Sequence, residues 1–311
     1  MKTILLPILI FITLLLGFLA FTAWYTPGEN PEVKIGVSFS PQQAQKLGLD
    51  WQETYLSLLT NLKVRNIRLN SYWREIETTD NEYYFENLDF LVEKAAENGA
   101  QVMLVVGLKQ PGWPECFTPD WAKLLKLKDR QKQALEFIEV VVERYKGKPT
   151  IEKWQVENEP LFNYGADCDP KDLEFLQAEV QLVRSLDPTR EIVVTDSGEL
   201  GFWKNAMSTS TIFGTTLYRK VHNPIFGIFI WPLPAGFYSL KSDLVREFFA
   251  PVNQKTIISE LQAEPWFSKP LIDTKVAEQS QMFSLKDFQN NVNLAKNNHP
   301  EYLEYAKSLF K

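Results

Sequence analysis

The stretch IEKWQVENEP, residues 151–160, decides how the chain is interpreted. It starts as a short apolar run and ends in two glutamates, an asparagine and a proline. Alternation along a strand would place Gln155, Glu157 and Glu159 on one face. Pro160 restricts the residue before it to extended conformations, which would fix the direction of the Glu159 side chain. We therefore expect a strand that ends in an oriented carboxyl group, and an ordinary solvated strand end is the alternative.

Similar short apolar runs recur on both sides of this stretch, each followed by a segment with helical spacing. They are KIGVSF from residue 34, NIRLNSYW from 66, QVMLVVGL from 101, IEKWQV from 151, EIVVTD from 191, IFGTTLY from 212 and TIISE from 256. Strands that are apolar on both faces and alternate with helices are typical of a parallel sheet covered by helices. A doubly wound sheet and a (β/α)8 TIM barrel both fit this α/β pattern. The number of units and the lack of a glycine-rich first turn favour the barrel.

The eighth strand of such a barrel is doubtful or missing in the sequence. After the helix-like segment SLKDFQNNVNLAKNN the chain reads HPEYLEYAKSLFK, and no apolar strand is evident there. Two interpretations stay open: Tyr302 and Leu303 form a vestigial strand, or the barrel is C-terminally truncated and incompletely closed. An open barrel would leave unpaired backbone groups at its edge.

Composition excludes several classes of function. The net charge is only -6 and no long run has one sign, so we expect no nucleic-acid partner. The two histidines, His222 and His299, lie in no metal-ligand spacing and beside no nucleophile motif, so no metal site and no Ser-His chemistry is predicted. Dinucleotide, P-loop and esterase motifs are missing too, and we predict no cofactor.

The N-terminal segment from Ile4 to Tyr25 carries no charge and is long enough to cross a bilayer. We interpret it as a signal anchor rather than a cleaved signal peptide, because Phe18 and Phe21 spoil the candidate cleavage sites. The predicted organisation is a cytoplasmic N-terminus at 1–3, a transmembrane signal anchor at 4–25, a linker at 26–33 and a barrel at 34–311. The barrel would then be membrane-anchored and extracytoplasmic.

Both cysteines follow predicted strands. Cys116 lies in PGWPECFTP and Cys168 in GADCDP, two loop-like sequences. An extracytoplasmic location is oxidising, so we predict that the two pair as a disulfide. Two unrelated free thiols are the alternative.

Two glutamates stand at predicted strand ends, where a barrel gathers its chemistry. Glu159 ends strand four and Glu260 ends strand seven, so both would face one mouth. Glycosidic cleavage needs such a pair, one acid for the leaving oxygen and one carboxylate for the sugar. Glu157 and Glu264 compete for these roles, but Glu157 lies deeper in its strand and Glu264 lies in the following loop.

Four separated segments, ENEP, ISELQAEPW, IRLNSYWREIE and TTLYRKV, resemble clan A retaining glycoside hydrolases, the (β/α)8 barrels that include cellulase-like β-glycosidases. The resemblance implies that Glu159 is the general acid/base and Glu260 the nucleophile. It implies that Asn158 contacts the sugar 2-hydroxyl, while Arg68 and Tyr218 support the nucleophile. The tryptophan that usually ends strand eight in this family is not evident in the sequence.

Aromatic residues near the strand ends suggest sugar-binding platforms. We predict this role for Trp73, Trp113 and Trp266, and packing in the core is the alternative for each. The segment FGIFIWPLPAGFY, 226–238, is apolar for a loop; it covers the cleft, touches the membrane or simply packs on the barrel top.

The sequence therefore predicts retaining hydrolysis of β-glycosidic bonds in an oligo- or polysaccharide by a two-glutamate double displacement. The resemblance covers about residues 34–270. The alternative is a non-catalytic carbohydrate-binding surface protein on a degenerate barrel. A phosphate-handling lyase is a third reading, but its glycine-rich phosphate loop is not in the sequence.

Overall fold

The computed structural model describes residues 2–25, 33–223, 225, 227–251, 254–266, 273–297, 302–303 and 305–307. All of the predicted linker except Val33 lies outside the described residues.

The strands of the described residues match the seven apolar runs of the sequence and add four short strands. They are β1 Gly36–Ser38, β2 Asn66–Asn70, β3 Gln101–Val106, β4 Ile151–Val156, β5 Glu191–Asp196, β6 Ile212–Leu217, β7 Lys220–Asn223, β8 Gly227–Ile230, β9 Lys255–Leu261, β10 Tyr302–Leu303 and β11 Tyr305–Lys307.

Helix α1 precedes the first strand, and the other helices of the described residues lie between strands. The helices are α1 Lys2–Trp24, α2 Pro41–Lys46, α3 Trp51–Thr60, α4 Trp73–Ile76, α5 Glu86–Glu97, α6 Asp120–Lys123, α7 Leu127–Tyr145, α8 Leu173–Leu186, α9 Lys204–Thr209, α10 Ala235–Phe249, α11 Val276–Met282 and α12 Leu285–Lys296.

The main sheet is parallel and closes on itself. Its order is β10-β9-β11-β1-β2-β3-β4-β5-β6, and β9 also pairs with β6. Seven strands with intervening helices therefore form a (β/α) barrel, which confirms the predicted fold class. Strands β7 and β8 form a separate antiparallel hairpin between β6 and α10.

Two short strands occupy the eighth position of the barrel. Strand β10 pairs with β9, with Tyr302 opposite Ile257. Strand β11 pairs with β1, with Tyr305 opposite Gly36, and touches the end of β9. Among the described residues, two short strands thus fill the eighth place, and of the two interpretations left open the short strand at Tyr302 and Leu303 fits this arrangement.

The core has an outer layer between sheet and helices and a small inner layer. In the outer layer, α7 buries Ala134, Phe137, Ile138, Val141 and Val142, a helical spacing that turns one face toward the sheet. The inner layer is a separate cluster of Met103, Val193, Ile212 and Ile257, contributed by β3, β5, β6 and β9. Because side chains alternate along a strand, these four fill the barrel interior beneath the polar groups at the carboxyl ends.

Candidate active site

The chain leaves β4 in an irregular conformation. The strand ends at Val156, and Glu157 and Glu159 both have positive φ angles, 59° and 46°. The prediction that Pro160 holds Glu159 in an extended conformation is therefore wrong, and strand alternation does not continue through Glu157. As a result, the side chains of Glu157, Asn158 and Glu159 have three different sets of partners.

Glu157 braces the neighbouring strand end. Its carboxylate accepts the backbone N–H groups of Leu108 and Lys109, both at 2.6 Å. Gly107 has φ +112°, and a Cβ there would collide with the Glu157 carboxylate, so the close approach requires glycine. Burial raises the pKa of Glu157, and also that of Glu179, which hydrogen-bonds to it. Because its carboxylate is bound to these backbone groups, Glu157 does not compete with Glu159 as the candidate acid.

Glu159 is held by the ends of the next two strands. Its backbone N–H donates to Thr195 Oγ1 at 2.8 Å, and Thr216 Oγ1 donates to its Oε1 at 3.1 Å. Lys109 Nζ donates to its carbonyl at 2.9 Å. The carboxyl group is thereby placed at the carboxyl-end mouth of the barrel.

The environment of Glu159 favours the protonated form. Burial raises the pKa of Glu159 to about 8, and the negative charges of Glu260 and Glu115 add to the effect. A carboxyl group with this pKa keeps its proton at neutral pH, as a general acid requires.

Glu260 has the opposite environment. Its Oε1 accepts Arg68 Nη1 at 2.8 Å, and its Oε2 accepts the Tyr218 hydroxyl at 3.1 Å. Arg68 is completely buried on β2 and forms an ion pair with this carboxylate. Both oxygens thus have a donor, one of them charged, which favours the ionised form. The competing Glu264 lies beyond the strand, in the following loop.

Asn158 connects the two halves of the site. Its Oδ1 accepts Arg68 Nη2 at 2.8 Å, and its Nδ2 donates to Glu115 Oε2 at 3.0 Å. Arg68 therefore holds Glu260 and Asn158 at once. Sequence reasoning missed Glu115, although it ends KQPGWPE, the polar segment that follows the third apolar run.

Three further polar residues were also missed. Thr195 and Thr216 lie on β5 and β6, where a threonine gives no signal because it is common in strands. Glu199 accepts the Tyr218 N–H at 3.1 Å and the Tyr238 hydroxyl at 2.7 Å. Burial raises the pKa of Glu199 to about 7. Glu199 was visible in the sequence only as one more carboxyl at a strand end.

A chain of aromatic rings borders the mouth. Trp113 lies edge-on to Tyr164 with centroids 6.1 Å apart, Tyr164 contacts Trp266 at 5.8 Å, and Trp266 contacts Tyr218 at 5.3 Å. Trp113 is 59% exposed and Trp266 36% exposed, so both leave ring surface open to a ligand.

Trp73 does not belong to this rim. It is fully buried, stacks on Phe137 and donates its indole N–H to Glu77 at 2.6 Å. The prediction of a sugar-binding platform is wrong at this position, because no face of the ring can meet a ligand.

A disulfide joins the loop that carries Trp113 to the loop that carries Tyr164. Cys116 and Cys168 are bonded across 52 positions of sequence, with Cα atoms 5.3 Å apart. Gly165 packs against this bridge with φ +114°, and a Cβ there would lie 2.7 Å from Cys168 Sγ. The bridge fixes the loop of Glu115 to the loop of Tyr164. No cluster of metal-binding side chains occurs among the described residues.

A barrel whose mouth holds one buried glutamate with a raised pKa and one arginine-paired glutamate has the arrangement of a glycoside hydrolase. The sequence matches the family model "Cellulase (glycosyl hydrolase family 5)" over residues 36–300, most of the chain. The protein therefore belongs to glycosyl hydrolase family 5. A comparison with curated protein sequences finds no match.

Three solved structures with a similar fold are glycoside hydrolases of low sequence identity. A β-galactosidase from Marinomonas ef1 shares 14% identity at a TM-score of 0.59, covering 88% of this chain and 54% of its own. GH5_18 from Streptomyces cattleya, solved with GlcNAc, shares 14% at 0.60, covering 88% and 70%. A thermostable xylanase mutant from Cellvibrio japonicus shares 14% at 0.57, covering 88% and 86%. The chain thus spans about half the length of that β-galactosidase.

Proposed function

We propose that the protein is a retaining β-glycosidase that hydrolyses an oligo- or polysaccharide. The observation that carries the proposal is the contrast between two glutamates at one mouth. Glu159 is buried with a pKa raised to about 8, whereas both oxygens of Glu260 accept hydrogen bonds, one from a buried arginine. An acid and a nucleophile need these two environments.

In the first step, Glu260 attacks the anomeric carbon and forms a glycosyl ester. The glycosidic bond breaks as Glu159 gives its proton to the leaving oxygen. Formation of the ester removes the charge of Glu260, which is one cause of the raised pKa of Glu159. Glu159, which has given its proton to the leaving group, therefore stays ionised more readily and acts as the base that takes a proton from water. Attack by that water on the anomeric carbon breaks the ester bond, releases the sugar, and restores both the Glu260 carboxylate and the proton of Glu159.

The surrounding groups position these two residues. Arg68 and Tyr218 hold the Glu260 carboxylate in one orientation by binding a different oxygen each. Asn158 is oriented by Arg68 and Glu115 and lies next to Glu159 in sequence, where it can meet the sugar hydroxyl beside the reacting carbon. Trp113 and Trp266 supply flat apolar surfaces for neighbouring sugar rings.

We also propose that α1 anchors the barrel outside the cytoplasm. The segment Leu6–Trp24 has a mean hydropathy of 2.5 and is long enough to cross a membrane. The bond between Cys116 and Cys168 suits an oxidising compartment. A flotation assay of the full chain with membranes, and mass measurement of its N-terminus, would distinguish an anchor from a cleaved signal.

The catalytic proposal is tested by trapping the intermediate. The full chain is incubated with a panel of aryl β-glycosides and with 2-fluoro glycosides, and its intact mass is measured. We expect a covalent sugar on Glu260, loss of the adduct in Glu260→Gln, and retention in the matched control Glu264→Gln. A folded protein that neither hydrolyses the panel nor forms an adduct would contradict the proposal and favour a carbohydrate-binding protein.

A further inference from the structure

Helix α1 packs against helix α10 in direct backbone contact. Gly236, in the first turn of α10, lies so close to the carbonyls of Thr22 and Tyr25 that a Cβ would collide with both. Small residues permit such an approach between helices. The rings of Phe18 and Phe237 meet edge-on at 6.3 Å. The end of α1 is therefore docked on the barrel rather than separated from it.

The contacts place the last turns of α1 at the amino end of α10. Phe18 meets Phe237, and the carbonyls of Thr22 and Tyr25 lie against Gly236, while only the Tyr25 hydroxyl reaches further along, to Asp243 at 2.6 Å. In a (β/α) barrel the amino end of a helix lies at the carboxyl-end mouth of the sheet. Since the side chains from Leu6 onward through the first half of α1 are exposed, α1 leaves the barrel on the side of the mouth.

The first turn of α10, which contacts α1, is also close to the reacting groups. Tyr238, beside Phe237, donates to Glu199, which accepts the Tyr218 N–H. Tyr218 in turn donates to Glu260. Three hydrogen bonds thus connect the helix that holds α1 with the proposed nucleophile, so the mouth lies beside α1.

The β7–β8 hairpin adds an exposed apolar edge at this mouth. Ile228 and Ile230 are two positions apart on β8, so they share a face, and both are exposed. Ile225, in the turn, is 82% exposed. The base of the hairpin is fixed to the barrel, because Gln262 accepts the N–H of Lys220 and donates to its carbonyl. Branched aliphatic side chains suit acyl chains better than sugar rings, which favour flat aromatic surfaces.

We propose that the three isoleucines of this hairpin, Ile225, Ile228 and Ile230, rest in the outer leaflet of the membrane that α1 spans. The cleft then opens onto the lipid surface, and its substrate is a glycoside whose aglycone is a membrane lipid. This inference rests on the proposed glycosidase and on the proposed anchor. In the reaction, the bond between sugar and lipid oxygen breaks, and Glu159 supplies the proton that the lipid alcohol carries away.

The orientation is tested with the full chain in phosphatidylcholine vesicles. A nitroxide is attached at Ile228→Cys or, as matched control, at Leu62→Cys, which is 59% exposed between α3 and β2 on the opposite face. Power-saturation measurements should show that the label at 228 is more accessible to oxygen than to a water-soluble nickel chelate. The label at 62 should be more accessible to the nickel chelate. Two aqueous labels on protein that floats with the vesicles would overturn the proposal. Protein that does not float would overturn the anchor, and the proposal with it.

The substrate class is tested by comparing two forms of one sugar, an octadecyl β-glycoside in vesicles and an aryl β-glycoside in solution. We expect the ratio of the two rates to fall at least about tenfold in Ile225→Ser/Ile228→Ser, because less apolar area enters the leaflet. Leu62→Ser should leave the ratio unchanged. An unchanged ratio in the double variant would refute lipid contact. If the wild type hydrolyses neither substrate, the glycosidase itself is refuted.

Discussion

Raising the pH should remove the proton that the proposed acid needs. With a pKa of about 8, Glu159 is protonated in about 90% of molecules at pH 7 and in about 10% at pH 9. The rate should fall as the pH rises, because a general acid must carry its proton, which it does mainly below its own pKa. We therefore expect kcat/KM for an aryl β-glycoside with a poor leaving group to fall about tenfold between pH 7 and pH 9.

Two variants test whether the pKa of Glu159 sets this alkaline limb of the pH–rate profile. Glu115 contributes a negative charge that raises the pKa of Glu159, so Glu115→Gln should move the limb to lower pH. Glu75→Gln is the matched control, because burial raises the pKa of Glu75 to about 7 and yet this residue is no partner of the two reacting glutamates. Initial rates from pH 5 to 10 measure both. A limb that stays in place in Glu115→Gln, or one that moves in Glu75→Gln, would refute the reasoning.

Three further predictions concern the support of the site. Tyr218→Phe removes one hydrogen bond to the nucleophile, worth about 1.5–3 kcal/mol for a charged acceptor, so kcat/KM should fall about tenfold or more with the fold unchanged by circular dichroism. Reducing the disulfide, which spans 52 positions, should lower the free energy of unfolding by about 4 kcal/mol in the chain-entropy model, measured by denaturant titration with and without reductant. Trp266→Ala should raise KM for oligosaccharides, while the free energy of unfolding changes little. Trp73→Ala should lower the free energy of unfolding by about 3–5 kcal/mol, because this side chain is fully buried. Equal effects of the two variants on KM would contradict the assignment of Trp266 to the rim and of Trp73 to the core.

The parts of the structure that were predictable depend on local sequence. The seven barrel strands are apolar runs bounded by polar segments. This local pattern alone is enough to predict a buried parallel strand. Glu159 and Glu260 could be proposed because each stands near the end of such a run. The β7–β8 hairpin was not predicted: only β8 lies in the segment described as an apolar loop, and β7 lies in the polar segment that follows the sixth apolar run.

The parts that could not be predicted depend on contacts between distant segments. Glu115 reaches the site because a disulfide and a glycine hold its loop against the loop after β4, and no local pattern encodes that contact. Trp73 follows β2 as the rim tryptophans follow other strands, so its neighbours alone could not separate core from rim. Its burial against Phe137 is a property of the packed helix α7.

The three side chains of the sequence Glu-Asn-Glu point in different directions and bind different partners. The backbone conformation that this requires is strained. Positive φ angles at Glu157 and Glu159 are unfavourable for side chains with a Cβ, by about 1–3 kcal/mol each. Hydrogen bonds of all three residues offset that cost. Glu157 accepts two backbone N–H groups, Asn158 bonds through both ends of its amide, and Glu159 bonds through its N–H and its carboxyl. The direction of the acid is therefore set by partners on neighbouring strands and their loops. The proline that marks it in the sequence is the second residue of the turn that follows, in which the Phe162 N–H donates to the Glu159 carbonyl at 3.0 Å.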